Sequence, residues 1–118
     1  MAFVYIWTHK PTQRWYIGSR TAFGCHIDDG YICSSDLVCK DIQENADEWS
    51  RAILAEGHPD EMLALEVALL DKLTAIDNER SLNQTNGTGK IIYKSPVRTI
   101  NTEKLKQILE RLNYEQPT

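Results

Sequence analysis

The sequence predicts an α+β fold, with a small three-stranded antiparallel sheet flanked by helices and an extra C-terminal helix. Two short runs near the start are rich in aromatic and β-branched residues, which is typical of neighbouring strands. Further along, apolar residues recur three and four positions apart, which is typical of amphipathic helices. The 118 residues fit one domain with a single modest core.

The first two strands are predicted to form a hairpin. Phe3 to Trp7 is the first strand, and Trp15 to Ile17 is the returning one. Thr8 to Arg14, with its proline, reads as the loop between them. The hairpin is expected to end at Gly18.

A short helix and a third strand are predicted next. The helix covers Ser35 to Asn45, with Ser35 as its N-cap, and the strand covers Glu48 to Leu54. The helix is supported by three apolar residues: Leu37, Val38 and Ile42.

Two more helices complete the predicted order. The first starts at His58-Pro59-Asp60-Glu61, where proline suits the first helical position, and runs to about Thr74. After a polar loop from 78 to 90, the last helix is capped by Thr102. Its apolar face consists of four residues: Leu105, Ile108, Leu109 and Leu112. We expect residues 1–90 to form a core and residues 91–118 a basic extension of the same compact unit.

The net charge of −4 hides a segregation along the chain. Residues 1–27 carry +3, residues 28–79 carry −11 and residues 80–118 carry +4. If the two basic ends meet in the fold, they form a positive face that attracts a polyanion. The alternative is a solvated surface whose order of charges has no function.

The composition argues against a membrane protein and against a disulfide framework. The longest apolar run, Met62 to Leu70, is too short to span a bilayer, and the N-terminus lacks a signal-peptide pattern. The three cysteines, Cys25, Cys33 and Cys39, have no Cys-x-x-Cys spacing, so reduced thiols are predicted. A zinc site completed by His26 is an alternative, although the spacings match no familiar pattern. A cytoplasmic location follows from these observations.

Glu66 is a candidate functional residue because it lies on an apolar helix face. At 100° per residue, its nearest neighbours on the helix are mostly apolar, whereas Asp60, Glu61 and Lys72 lie roughly opposite. A buried carboxylate needs a cation, a metal, hydrogen-bond donors or a water-filled cleft. An ion pair with Arg20 or Arg51, or a position at the rim of the core, would also explain it.

Tyr5 and Tyr16 are the second candidate pair. Taken alone, two aromatic residues on paired strands are explained by packing. Their order, however, resembles that of the GIY-YIG nuclease family, whose naming motifs appear here as Val4-Tyr5-Ile6 and Tyr16-Ile17-Gly18. The first motif has valine where the family name has glycine, and the tyrosine is retained.

The resemblance covers about residues 3 to 89. The block Tyr16-Ile17-Gly18-Ser19-Arg20, with Asp28-Asp29-Gly30-Tyr31 and Cys33-Ser34-Ser35 after it, is similar to the phage and mobile-element branch. Ala52-Ile53-Leu54 corresponds to the third strand, Glu66 to the helix glutamate and Asn83 to the closing asparagine. Many members carry an arginine about ten residues after the second tyrosine, where this chain has His26. Arg20 is therefore the first candidate for the basic residue, and His26 is the second.

The resemblance implies a metal-dependent DNA endonuclease, either a site-specific cutter or a nickase. Tyr5 would be the general base, through a lowered phenol pKa or through water, and Tyr16 would orient that water or the phosphate. Arg20 or His26 would bind the scissile phosphate, and Glu66 would hold one Mg²⁺, or Mn²⁺ in its place.

Four further side chains are expected to contact the DNA, namely Lys40, Asn83, Lys90 and Lys94. Asn83 would bind the product end or brace the site, and Lys40 is either an auxiliary phosphate contact or a solvated helix lysine. Other basic residues up to Arg111 would add phosphate contacts. A homodimer or a targeting partner is a possible addition, since no separate DNA-reading module is evident. The resemblance places the protein in the cytoplasm of a bacterium or of a phage-infected host. The alternative is a catalytically silent relative that regulates by binding nucleic acid or protein.

Overall fold

The computed structural model of the protein describes residues 1–33, 35–73, 82 and 102–112. Its elements, in chain order, are strand β1 (Ala2–His9), strand β2 (Arg14–Arg20), helix α1 (Asp36–Glu44), strand β3 (Trp49–Gly57), helix α2 (Pro59–Lys72) and helix α3 (Thr102–Arg111). One turn of 3₁₀ helix joins α1 to β3. The predicted α+β class, with one three-stranded antiparallel sheet and flanking helices, is confirmed over these residues.

The central strand of the sheet is β1, and the strand order is β2-β1-β3 with both pairings antiparallel. Both outer strands are longer than predicted. β2 continues beyond Gly18 because Ser19 and Arg20 still pair with β1. β3 likewise continues beyond Leu54 to Gly57, opposite the start of β1.

The pairing of β3 with β1 is irregular at one point. Val4 faces Ala55 and the next residue of β1, Tyr5, faces Ile53, so Leu54 is an additional residue on β3. Consecutive strand residues normally point to opposite faces of a sheet. Here Leu54 and Ala55 are both buried in the same core cluster, which a bulge at this point explains.

Each face of the sheet has its own buried core. On one face, Val4, Ile6 and Ile17 pack in a cluster with apolar residues of α2 and α3. On the other face, Phe3, Tyr5 and Tyr16 belong to a cluster that contains residues of α1. The hairpin is therefore covered on both sides, and its two faces have different neighbours.

The ends of α1 and α2 agree with the sequence signals. Ser35 caps α1 by accepting a hydrogen bond from the Val38 N–H at 3.4 Å. Leu37, predicted among the apolar positions, is 74% exposed, because the buried face of this short helix contains only Val38 and Ile42. α2 starts at Pro59, as predicted, and its described part ends at Lys72.

Helix α3 is attached to the core by apolar and polar contacts. Leu105, Ile108 and Leu109 are buried in the cluster that contains α2. Lys104 Nζ donates to the Glu56 carbonyl at 3.4 Å, and Arg111 Nη1 donates to the Ile53 carbonyl at 3.1 Å. These two cations, expected among the phosphate contacts, bind backbone oxygens of β3, and Lys104 also pairs with Glu61 at 3.4 Å.

None of the helices in the described residues combines the length and the apolar character needed to cross a bilayer.

Candidate active site

Tyr5 and Tyr16 lie on the same face of the hairpin. Tyr5 is opposite Gly18 in the β1–β2 register, and side chains alternate along a strand, so Tyr16 and Gly18 share its face. The rings of Tyr5 and Tyr16 are stacked with centroids 6.5 Å apart. Tyr31, in the segment before α1, meets Tyr5 edge-on at 6.1 Å. We call these three phenols the tyrosine cluster.

Gly18 determines where the Tyr5 ring can lie. A Cβ at position 18 would be 2.4 Å from the Tyr5 hydroxyl oxygen and 2.6 Å from Cζ. No side chain fits at these distances without a shift of the tyrosine. The glycine of Tyr-Ile-Gly is thus required by the close approach of Tyr5 and not by a turn, since β2 continues through it.

Two phenols of the site, those of Tyr5 and Tyr16, are buried, and burial favours their protonated form. Tyr5 is 1% exposed, and its hydroxyl has no hydrogen-bond partner of good geometry within the described residues. Burial, with the Tyr31 and Tyr16 phenols adding to it, raises the pKa of Tyr5 above its ordinary value. Burial also raises the pKa of Tyr16, and Cys33 and Glu66 contribute to that increase. The lowered phenol pKa expected for Tyr5 is therefore wrong for the protein on its own, because loss of water disfavours phenolate.

Of the two candidate basic residues, Arg20 is the one that contacts the tyrosine cluster. Its Cζ lies 4.2 Å from the centroid of the Tyr31 ring, and its Nε donates to Asp29 Oδ2 at 3.3 Å. The Arg20 side chain is 31% exposed, so it also reaches solvent. His26 is exposed, and its Nδ1 accepts a hydrogen bond from the Asp28 N–H at 3.1 Å.

Glu66 is fully buried, as its place on the apolar helix face predicts. Its Oε1 accepts a hydrogen bond from Ser19 Oγ at 2.6 Å. Ser19 stands between Gly18 and Arg20 on β2, so it faces α2, and Glu66 approaches β2 from the face opposite to the tyrosine cluster. Glu66 is nevertheless close enough to contribute to the raised pKa of Tyr16.

The two arginines considered as ion-pair partners of Glu66 have other partners in the structure. Arg20 pairs with Asp29, and Arg51 Nη2 donates to the Ile27 carbonyl at 2.8 Å. Ser19 is instead the hydrogen-bond partner that the strand supplies to Glu66. The alternation of side chains along β2 puts Ser19 on the face toward α2. This could be predicted from the sequence only if the strand were taken to continue beyond Gly18.

The donor chemistry around Glu66 suits a hard cation such as Mg²⁺. A carboxylate and a hydroxyl are oxygen donors, and Mg²⁺ usually keeps several waters and needs only one or two carboxylates. Within the described ranges, no group of three or more His, Cys, Asp or Glu side chains is placed to hold a metal ion. A cation at Glu66 would therefore complete its shell with water and phosphate oxygens. Because Glu66 is 0% exposed, the contact with Ser19 would have to open first.

The remaining candidate residues are distributed as follows. Lys40 is exposed on α1. Asn83, Lys90 and Lys94 lie outside the described residues, and the residue before Asn83, Leu82, donates its N–H to the Trp15 carbonyl at 2.7 Å. The cysteines are free, as predicted. Cys25 and Cys33 belong to clusters on opposite faces of the sheet, which separates two of the ligands of the zinc alternative.

Asp29 and Tyr31 are site residues that the sequence did not identify individually. Asp29 Oδ1 accepts from the Tyr31 N–H at 3.0 Å, and Asp29 Oδ2 accepts from the His26 N–H at 3.3 Å. The Tyr31 N–H, with His26 and Arg20 contributing, lowers the pKa of Asp29 below its usual range. The only sequence signal was the Asp-Gly pair, which favours a turn stabilised by the aspartate side chain.

Comparisons with protein-family models, with curated proteins and with solved structures found no match to this chain.

Proposed function

We propose that this protein is a metal-dependent DNA endonuclease of the GIY-YIG type, acting as a site-specific cutter or nickase of the phage or mobile-element kind. The observation that carries the proposal is the placement of four motif residues around strand β2, three on one face of the hairpin and Glu66 against the other face. Tyr5, Tyr16 and Arg20 line one face of the hairpin, and Glu66 is bonded to Ser19 of the same strand. A tyrosine pair that served packing alone would need neither the cation nor the buried carboxylate.

Arg20 is the residue that binds the scissile phosphate in this proposal. Hydrolysis of a phosphodiester requires neutralisation of charge on the phosphoryl oxygens while water attacks phosphorus and the 3′-oxygen leaves. A guanidinium can do this with two parallel hydrogen bonds. Arg20 Nε is bound to Asp29 and the side chain is partly exposed, so its terminal nitrogens are the donors proposed for phosphate.

The tyrosines orient the attacking water. Tyr5 is almost fully buried, and its hydroxyl has only the Tyr31 phenol beside it and no partner of good geometry in the described part of the chain, so a water molecule is the proposed partner. Tyr16 stacks beside it and directs its phenol to the same water or to the phosphate. At neutral pH both phenols keep their protons. Tyr5 acts as a general base only when positive charge in the loaded site offsets the effect of its burial.

Glu66 is the proposed ligand of one Mg²⁺, with Mn²⁺ as a substitute, which it would bind once its contact with Ser19 opens. The ion, when bound, would stabilise negative charge on the phosphate and the leaving oxygen. Lys40, Asn83, Lys90 and Lys94 are proposed DNA contacts. The proposal includes a homodimer or a targeting partner for recognition, and a cytoplasmic location.

The test is cleavage of supercoiled plasmid and of phage genomic DNA by the purified protein, with Mg²⁺, with Mn²⁺ and with EDTA. Discrete nicked or linear products that require the metal would support the proposal. Arg20→Ala and Glu66→Gln should each abolish these products while DNA retardation in a gel is largely retained. Glu66→Gln keeps an acceptor for Ser19, so loss of activity would not be explained by loss of that hydrogen bond.

Two control variants make this test specific. Asp71→Asn removes a carboxylate from an exposed position of the same helix as Glu66, and Arg14→Ala removes an exposed cation from the same strand as Arg20. Both should cleave at the rate of the unaltered protein. Equal loss of cleavage in a control and in its partner variant would contradict the assigned roles.

A second candidate function is binding without catalysis. The observation that favours it is the closed state of the site, since Tyr5 and Glu66 are both buried and Arg20 is paired with Asp29. A silent relative of this kind would retard DNA in a salt-dependent way without cleaving any substrate. A protein-binding regulator would do neither.

A further inference from the structure

The segment between β2 and α1 is arranged so that Arg20 is held on two sides. Asp29 accepts hydrogen bonds from three donors: the N–H groups of His26 and Tyr31, and Nε of Arg20. Between Asp29 and Tyr31, Gly30 has a φ of +85°, a conformation that residues with a side chain rarely adopt. This turn brings the Tyr31 ring under the guanidinium at 4.2 Å.

The same segment is fixed to the sheet at two further points. Trp7 Nε1 donates to the Ile32 carbonyl at 2.8 Å, and Arg51 Nη2 donates to the Ile27 carbonyl at the same distance. One bond lies on each side of the Asp29–Tyr31 turn along the chain. The turn is therefore attached to β1 and β3, and not only to its own neighbours in sequence.

We infer that Tyr31 is a positioning residue of the proposed nuclease site: together with Asp29, it fixes the plane of the Arg20 guanidinium beside the tyrosine cluster. This inference rests on the proposed function for its catalytic consequence, but not for the geometry. A free arginine side chain has many rotamers, and its planar fork binds phosphate well only in a matching orientation. An aromatic face below the plane and a carboxylate at Nε leave the outer nitrogens free to turn toward a ligand.

The geometry can be tested without any activity, by NMR of the Arg20 Nε–Hε group. In the unaltered protein, the Hε signal should be resolved and shifted upfield, because it belongs to a cation over a ring face. Tyr31→Phe should keep that shift, and Tyr31→Leu should remove it. Asp29→Asn should weaken the protection of Hε from solvent exchange. Asp28→Asn, one residue away and directed at His26, is the matched control and should leave the signal unchanged.

The catalytic consequence is tested by the kinetics of plasmid cleavage. A guanidinium that is present but misplaced lowers kcat more than it raises KM, and misplacement of a catalytic group can cost on the order of 10²-fold. Tyr31→Leu should therefore reduce kcat by about that factor, whereas Tyr31→Phe, which keeps the ring face, should retain most of the activity. Asp29→Asn provides a second variant in case Tyr31→Leu does not fold.

The outcomes separate the two proposals. An Arg20 Hε signal that is the same with tyrosine and leucine at position 31, or unaffected by Asp29→Asn, overturns the positioning role whether or not the protein cleaves DNA. If the unaltered protein does not cleave DNA but the Arg20 Hε signal responds as described, the nuclease proposal fails. The proposal that Tyr31 and Asp29 fix the Arg20 guanidinium then stands. If cleavage occurs and Tyr31→Leu changes only KM, Tyr31 serves binding and not positioning.

Discussion

Replacement of Gly18 by alanine tests the central packing feature of the site. The added methyl carbon would lie 2.6 Å from Cζ and 3.2 Å from Cε1 of Tyr5, as well as 2.4 Å from the hydroxyl oxygen. Carbon atoms pack favourably at about 3.5–4.0 Å, so the closest carbon contact is short by roughly 1 Å. Tyr5 is almost fully buried and stacked against Tyr16, which limits its freedom to move away.

The expected loss of stability follows from two opposing terms. Overpacking of a core typically costs about 1–3 kcal/mol and occasionally more. Alanine in place of glycine recovers about 0.4–1 kcal/mol by restricting the unfolded chain. Because the ring tip meets the methyl group almost head-on, we expect a net loss of about 2 kcal/mol. That corresponds to a fall of roughly 10 °C in Tm for a domain of this size.

The assay is equilibrium unfolding in urea, followed by tryptophan fluorescence. Tyr5→Leu removes the ring tip, so alanine at position 18 should cost little or nothing in that background, and the double-mutant cycle should give a coupling of about 2 kcal/mol. Gly57→Ala is the matched control, since the atoms nearest its methyl group would be the ends of two unbranched side chains, Glu61 Oε1 at 2.8 Å and Met62 Cε at 3.0 Å, which can turn aside more readily than a stacked ring. A loss at Gly18 no larger than at Gly57, or a loss unchanged by Tyr5→Leu, would refute the explanation.

Three further predictions follow from burial. Because the pKa values of Tyr5 and Tyr16 are raised on folding, their contribution to stability is intact below the unfolded value near 10 and is lost as pH rises above it. Each should add about 1.4 kcal/mol of destabilisation per pH unit above 10, and each Tyr→Phe variant should remove its own share in urea titrations. Leu109→Ala should cost about 2–5 kcal/mol in the same assay, since this leucine is buried between α3 and the core; a surface-like loss below 0.5 would contradict that docking. Burial raises the pKa of Cys33 to about 11, so iodoacetamide at pH 8 should alkylate the partly exposed Cys39 first. Mass spectrometry of the peptides measures the two alkylation rates, and equal rates would contradict the burial of Cys33.

The fold class could be predicted because its signals are local. Aromatic and β-branched runs, a serine cap and a proline at a helix start identified β1, β2, α1 and α2 near their true positions. The ends of the strands were predicted less accurately. β2 and β3 continue for as long as β1 offers partners, and that length is a property of the sheet and not of either segment.

The positions of Glu66, Tyr5 and Tyr16 in the fold were predictable from the sequence, but their environment was not. Helical periodicity placed Glu66 on a buried face, which the structure confirms, and the motif order brought Tyr5 and Tyr16 to one face of the hairpin. Ser19 escaped notice because the strand was ended one residue before it. Of the two alternatives for Tyr5, a lowered pKa or action through water, the first is wrong because the side chains that close over the phenol raise its pKa.

The contacts of α3 with β3 also protect an edge of the sheet from aggregation. An outer strand of a sheet offers backbone groups with which another chain can pair, and natural proteins protect such edges with charged side chains or covering helices. Lys104 and Arg111 occupy two carbonyl oxygens of β3 while Leu109 packs inside. A substitution that released α3 would therefore uncover backbone acceptors and apolar surface at the same time. Folded protein of such a variant should disappear by aggregation before it unfolds in isolation. The rate of that loss should rise with protein concentration.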